Sequence, residues 1–406
     1  MNYTNALFLD ALACAVKDCP VSWAELDSAG FRALSSLATR HSVSPMLIEA
    51  MYKNPAFCAL GDASAFAIKR AKDQTVSQAR RTADFLVLYN TLQDRGLRPA
   101  VLKGIVCRSL YPHPEQRPSV DEDLLVDPSE FPPLHQALVD EGLTPVDAVD
   151  LDTAFEVAYE DKKRNLYIEV HKQPFTPDSE AVRQMNDAFE GALERTVEIR
   201  VYGVSIRTLC PTDHLLYLLC HAYKHLIYSG FGIRQVCDIC LFARKYAGEI
   251  DWRHVAGVCR RHRIETLAAA VFRIGSEHLD IPAPEIFAGI SVDEMPLLED
   301  ILTGGLYGVS DENRLHSSNI TLGAVEAARK GRRPSGFWRS VFPPREYFEN
   351  RFPYAKTHPV LLPVAWGQRL YNYLTDRKKG AKVSPAESIR IAAERIQLLR
   401  EYDIIE

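Results

Sequence analysis

The 406-residue chain lacks a surplus of positive charge: 48 Lys and Arg stand against 53 Asp and Glu, a formal net charge of −5. Proteins that hold nucleic acid by electrostatics alone show a basic stripe and a high isoelectric point, so nucleic acid ranks last among the expected partners. Long hydrophobic runs are missing as well. No stretch of about 18 or more uncharged apolar residues occurs, so no segment reads as a bilayer-spanning helix. The opening residues, MNYTNALFLDALACAVKDCP, have no basic n-region and place Asp10 inside the apolar stretch, unlike a signal peptide. The nine cysteines are scattered through apolar segments without a small-domain disulfide framework, and a reducing cytoplasm is expected. Gly-x-Ser-x-Gly, Walker A and Gly-x-Gly-x-x-Gly motifs are absent, which disfavours hydrolase, P-loop and dinucleotide chemistry.

What is present reads as an ordinary globular chain, 47% apolar and 25% charged, long enough for two or three domains. Residues 1–95 read as a helical region: Leu7, Ala11, Leu12 and Ala15 recur at helical spacing, as do Phe85, Leu88, Tyr89 and Leu92, with Gly96 as a stop. Over 96–210 the pattern becomes α/β. Ala100–Leu102, Leu124–Val126 and Leu166–Val170 are strand-like, helical stretches at 105–111 and 129–142 separate them, and Val197–Val201 with Val204–Arg207 form a hairpin about Tyr202-Gly203. Residues 211–303 are expected to be helical, with Thr212 as an N-cap and a later helix carrying Val236, Ile239, Cys240 and Phe242. Residues 304–406 are read as a linker, containing GRRPSG at 331–336, and a tail. In that tail FPPREYF (342–348) and HPVLLPVAW (358–366) look extended, and a last helix covers about 384–402.

The sharpest chemistry lies in Arg117-Pro-Ser-Val-Asp121-Glu-Asp123-Leu-Leu-Val126. Alternate side chains of a strand share a face, so Asp121 and Asp123 point the same way. Two carboxylates that close repel unless something positive sits between them, and hard oxygen ligands favour Mg²⁺ or Mn²⁺. Glu169, between Ile168 and Val170 of a half-buried strand, is the candidate third carboxylate. Three carboxylates on adjacent strands can hold two metals, one activating an attacking hydroxyl and one clamping a triphosphate. Leu102-Lys103-Gly104 supplies a glycine turn and a helix N-terminus that phosphates can approach. Arg117 stands within reach of the same phosphates.

Together these pieces resemble the uncharacterised nucleotidyltransferase family NTP_transf_5, a branch of the DNA polymerase β-like superfamily. The carriers are the LKG turn, Tyr111-Pro-His-Pro114, R-x-S-x-D-x-D-L-L-V and the later E-V-H strand. The similarity is expected to run nearly full length, through His221 and His225, Asp238, Asp251-Trp252 and FPYAKTHPVLLPVAW. It implies an α+β fold, a polymerase β-like core with a small mixed sheet between helical flanks. It also implies metal binding and catalysis by Asp121, Asp123 and Glu169, and nucleotide contacts at Lys103, Gly104, Arg117 and Ser119. The implied reaction moves NMP from an NTP such as ATP to a hydroxyl of a small-molecule or peptide acceptor. A protein AMP-transferase and a non-catalytic nucleotide-binding scaffold are the alternatives. Two residues depart from the family pattern: Glu122 replaces an apolar residue between the aspartates and must find a cationic partner or solvent, and the Gly-Ser signature is reduced to Lys103-Gly104.

His171, His221 and His225 are candidates for the acceptor site, with satisfied core histidines as the alternative for the last two. Cys237 and Cys240 could complete a reversed zinc site with His221 and His225, but their apolar helical setting favours core packing.

Overall fold

The computed structural model describes residues 1–177, 179–306, 312–329, 354, 358–368 and 385–405. Short polar residues start the N-terminal helices. Asn2, Asp27 and Asn54 accept from backbone amides at the heads of α1 (Tyr3–Val16), α2 (Ser28–Arg40) and α4 (Pro55–Cys58), and α3 (Ser44–Met51) lies between the last two. The long α5 (Asp62–Asp94), about 50 Å at 1.5 Å per residue, ends before Gly96 at φ +78°.

The α/β block follows as β1 (Ala100–Val101), α6 (Ile105–Arg108), β2 (Asp121–Leu125), α7 (Phe131–Asp140), β3 (Thr144–Pro145), β4 (Glu156–Asp161), β5 (Leu166–His171), α8 (Glu180–Arg183), β6 (Thr196–Val201) and β7 (Val204–Leu209). One mixed sheet joins all seven strands in the order β3-β4-β5-β2-β1-β7-β6. β2 runs parallel to β5 and β1 parallel to β7, while the other pairs are antiparallel. The β6–β7 turn places Tyr202 and Gly203 at φ +49° and +85°, the two positive values a type I′ hairpin turn requires.

Helices α9 (Pro211–Tyr228), α10 (Ile233–Lys245), α11 (Trp252–Arg261), α12 (Glu265–His278), α13 (Glu285–Ala288) and α14 (Met295–Gly304) complete the body, with α15 (Glu312–Arg329) and a C-terminal helix, Pro385–Glu401. A continuous apolar core runs from Phe8 through Val101, Ile168 and Val236 to Ile405, so sheet and helices share one interior.

The structure corrects three sequence expectations. The N-cap of α9 is Cys210, with Pro211 leading the helix, and the Thr212 hydroxyl instead accepts from the Asp251 amide at 2.9 Å. Residues 312–329, read as linker, form α15. Its buried face is Arg314, Ser317, Thr321, Ala324 and Val325, helically spaced but mostly polar or small, which a hydrophobic pattern does not reveal. Within HPVLLPVAW, Pro359–Leu361 is a 3-10 turn and 362–366 is helical rather than extended. GRRPSG and FPPREYF lie outside the described residues.

Candidate active site

The parallel register of β2 and β5 builds the centre. Asp121 pairs with Tyr167, Asp123 with Glu169 and Leu125 with His171, so the alternate residues Asp123, Glu169 and His171 fall on one face. His171 Nε2 lies 3.2 Å from Asp123 Oδ1 and 3.8 Å from Glu169 Oε2, and its Nδ1 lies 3.4 Å from Glu156 Oε2. One ligand atom from each of Asp123, Glu169 and His171 falls within 4.8 Å of the others. Asp121 joins them through a shared cation: Lys103 Nζ lies 3.0 Å from Asp123 Oδ1 and 3.5 Å from Asp121 Oδ2.

Burial alone would raise the pKa of Asp123, but Lys103 and His171 outweigh it and hold that carboxyl well below the usual range. Glu169 goes the other way, because burial and then the neighbouring Asp123 push its carboxyl up to about 7 against the pull of Lys103. A carboxyl whose folded pKa is raised favours folding while protonated, and that contribution is lost as pH climbs from 4.5 through about 7. The metal-free protein should therefore lose roughly 2 kcal/mol across this window, and Glu169→Gln should remove that loss. Denaturant melts in chelator at pH 5 and 7.5 check this, and the same pH dependence in both proteins would contradict it.

Glu122 shows why the D-x-D strand tolerates an acid in its middle. Its side chain is 1% exposed and pairs with Arg108, itself equally buried, while Glu122 Oε2 accepts from the Ile105 amide at 2.8 Å. The expected cationic partner is present. A Cβ on Gly104, at φ +51°, would collide with this carboxylate, so glycine is required there. The same contact revises the LKG turn. The short helix start, expected to be open to phosphates, already holds the protein's own anion.

The other candidates divide between the cleft and its supports. Lys103, Gly104, Arg117, Ser119, Asp121 and His221 line one cleft. Arg117 is 4% exposed and engages Asp238 through Nε at 2.8 Å and through Nη2, with Tyr111 donating to the same carboxylate at 2.7 Å. Ser119 is held on three sides: its hydroxyl accepts from Arg108, its carbonyl from Arg81, and its amide donates to Gln78. His221 Nε2 lies 3.2 Å from Lys103 Nζ and 3.2 Å from His225 Nε2. Burial, then Lys103, lowers the His221 pKa well below its ordinary value, and the same causes take His225 to about 3, so both are neutral near pH 7. Cys237 and Cys240 are buried in α10.

Sequence reasoning missed Glu156 and Arg108. A signal existed for the first, since Glu156-Val-Ala-Tyr-Glu-Asp161 alternates half-buried and buried residues with period two. Arg108 acts through a partner 14 positions away.

A comparison with protein families matches residues 27–280 to the family described as uncharacterised nucleotidyltransferase, NTP_transf_5. No curated protein and no solved structure matches. The matched span holds the LKG turn, both acidic strands, His221, His225, Asp238 and Asp251-Trp252. It stops before 352–366, so the likeness covers less of the chain than nearly full length.

Proposed function

Because this chain belongs to the uncharacterised nucleotidyltransferase family, we propose that it transfers NMP from an NTP to a hydroxyl of a small-molecule or peptide acceptor, with Asp121, Asp123 and Glu169 as the catalytic carboxylates. The observation that carries this reading is the convergence of Asp123 and Glu169 in register on β2 and β5, with Lys103 bridging Asp123 and Asp121.

Divalent metal fits these residues. Asp123 Oδ2 is buried with no hydrogen-bond partner among the described residues, and carboxylate oxygens are the donors Mg²⁺ or Mn²⁺ takes. When bound, such an ion supplies positive charge to the triphosphate and acidity to the acceptor hydroxyl. Asp121, Asp123 and Glu169 would hold it. His171, fixed from behind by Glu156, would orient Asp123 as an outer partner. Lys103 offsets repulsion among the carboxylates and, with Gly104, Arg117 and Ser119, lines the nucleotide side of the cleft. Catalysis would come mainly from positioning and charge complementarity.

The test is a thermal-shift screen with ATP, GTP, CTP and UTP, with and without Mg²⁺ or Mn²⁺. At least one triphosphate should raise the melting temperature of the wild type in the presence of metal, and Lys103→Ala should lose much of that rise. A wild type that no triphosphate stabilises under any of these conditions would sink the proposal.

A further inference from the structure

If the LKG turn is filled by Glu122, the anionic end of a nucleotide needs another seat. The cleft that contains Lys103 and Asp121 is also lined by two guanidinium groups, Arg117 and Arg234. Arg117 directly precedes the acidic strand region, and Arg234 sits in the first turn of α10. Both side chains are almost fully buried, 4% and 5% exposed. Each nevertheless keeps one buried nitrogen without an acceptor among the described residues: Nη1 of Arg117 and Nε of Arg234. A buried donor without an acceptor is unfavourable, and an anion in the cleft can supply the missing acceptors.

The two arginines are not equivalent. Asp238 neutralises Arg117, so that residue offers direction more than charge. Arg234 donates through Nη1 to the Pro118 carbonyl, a neutral partner, and no carboxylate among the described residues pairs with it. Arg234 therefore brings an uncompensated positive charge, held in place by the loop that carries Arg117. Planar guanidinium donors suit phosphate oxygens better than an ammonium does. We propose that Arg234 and Arg117 form a phosphate subsite that clasps the terminal phosphates of the nucleoside triphosphate and, after transfer, the pyrophosphate product. This rests on the nucleotidyl-transfer reading above. It adds Arg234 of α10 to a cleft already lined by His221 of α9.

The probe is inorganic pyrophosphate, titrated calorimetrically into the full chain in EDTA, so that no metal and no turnover is involved. Wild type should bind it, and Arg234→Gln should weaken binding tenfold or more. Arg234→Lys, which keeps the charge but loses the Nε–H, should fall between them. Asp121→Asn should bind at least as well as wild type, since it removes a negative charge from the cleft. No binding by wild type, or equal binding by wild type and Arg234→Gln, would overturn the subsite. Should Arg234→Gln fail to fold, Arg234→Lys decides: several-fold weaker binding upholds the subsite and unchanged binding overturns it. Failure here is distinct from failure of the transferase reading. Transfer by a protein that does not bind pyrophosphate through Arg234 would remove only the subsite. Arg234-dependent pyrophosphate binding in a protein that no triphosphate stabilises would leave a pyrophosphate site and overturn both its role as a triphosphate clasp and the transferase reading.

Discussion

Asp121→Asn should lower nucleotide transfer by about a thousandfold, equivalent to roughly 4 kcal/mol of barrier, and leave the fold intact. The amide nearly matches the carboxylate in shape but carries no charge, so it is a poor ligand for a hard cation. Asp121 is the most exposed member of the β2 pair, its side chain 25% accessible against 1% for Asp123, and no packing depends on its charge. The substitution also relieves repulsion with Asp123, so the ligand-free variant should be no less stable than wild type. The measurement is pyrophosphate release with Mg²⁺ and a productive acceptor, beside a melting curve of each protein. Equal turnover, or a variant that unfolds, would remove Asp121 from the catalytic centre.

The second large effect concerns stability. Arg108→Ala strands the Glu122 carboxylate inside the protein, and Glu122→Ala strands the guanidinium. Each should cost about 3–5 kcal/mol, because an uncompensated buried charge is left behind. Removing both charges together should cost much less than the sum, and Arg108→Met with Glu122→Leu should recover most of the loss. Urea melts of the two single variants and the double variant give the coupling. Strictly additive single effects would show that the pair is not the unit described here. The site should also respond, since Glu122 ties β2 to the LKG turn that carries Lys103, and a loosened pair would blur the distance between Lys103 and both aspartates.

Local patterns made much of this architecture legible. The D-x-D strand, the E-V-H strand, the Tyr202-Gly203 hairpin and the N-terminal helices follow from periodicity and turn chemistry, because each is decided by neighbours a few positions away. The family match then supports the polymerase β-like α+β class. What stayed hidden was pairing at long range. Nothing near Arg117 announces that Asp238 will take two of its nitrogens, or that Ser119 will be enclosed by Arg81, Arg108 and Gln78. Nor could α15 be found by looking for apolar residues, since Arg314 on its buried face bonds the Ser229 carbonyl and Asp300 rather than packing as a hydrophobe. The half-buried Glu156 was discoverable from alternation alone. Its contact with His171 was not.

The parallel strand pairs carry a kinetic consequence. β1 meets β7 through Val101 and Thr208, whose side-chain bond closes a separation of 107 residues, and the contact between Asp123 and His171 closes one of 48. Contacts between distant residues incur loop-closure entropy before any pairing energy repays it, so they form late. The helices of residues 3–94 are local and can form early. A refolding chain will thus regain part of its helical signal before the carboxylates meet across β2 and β5, and the capacity to bind ligand will return last.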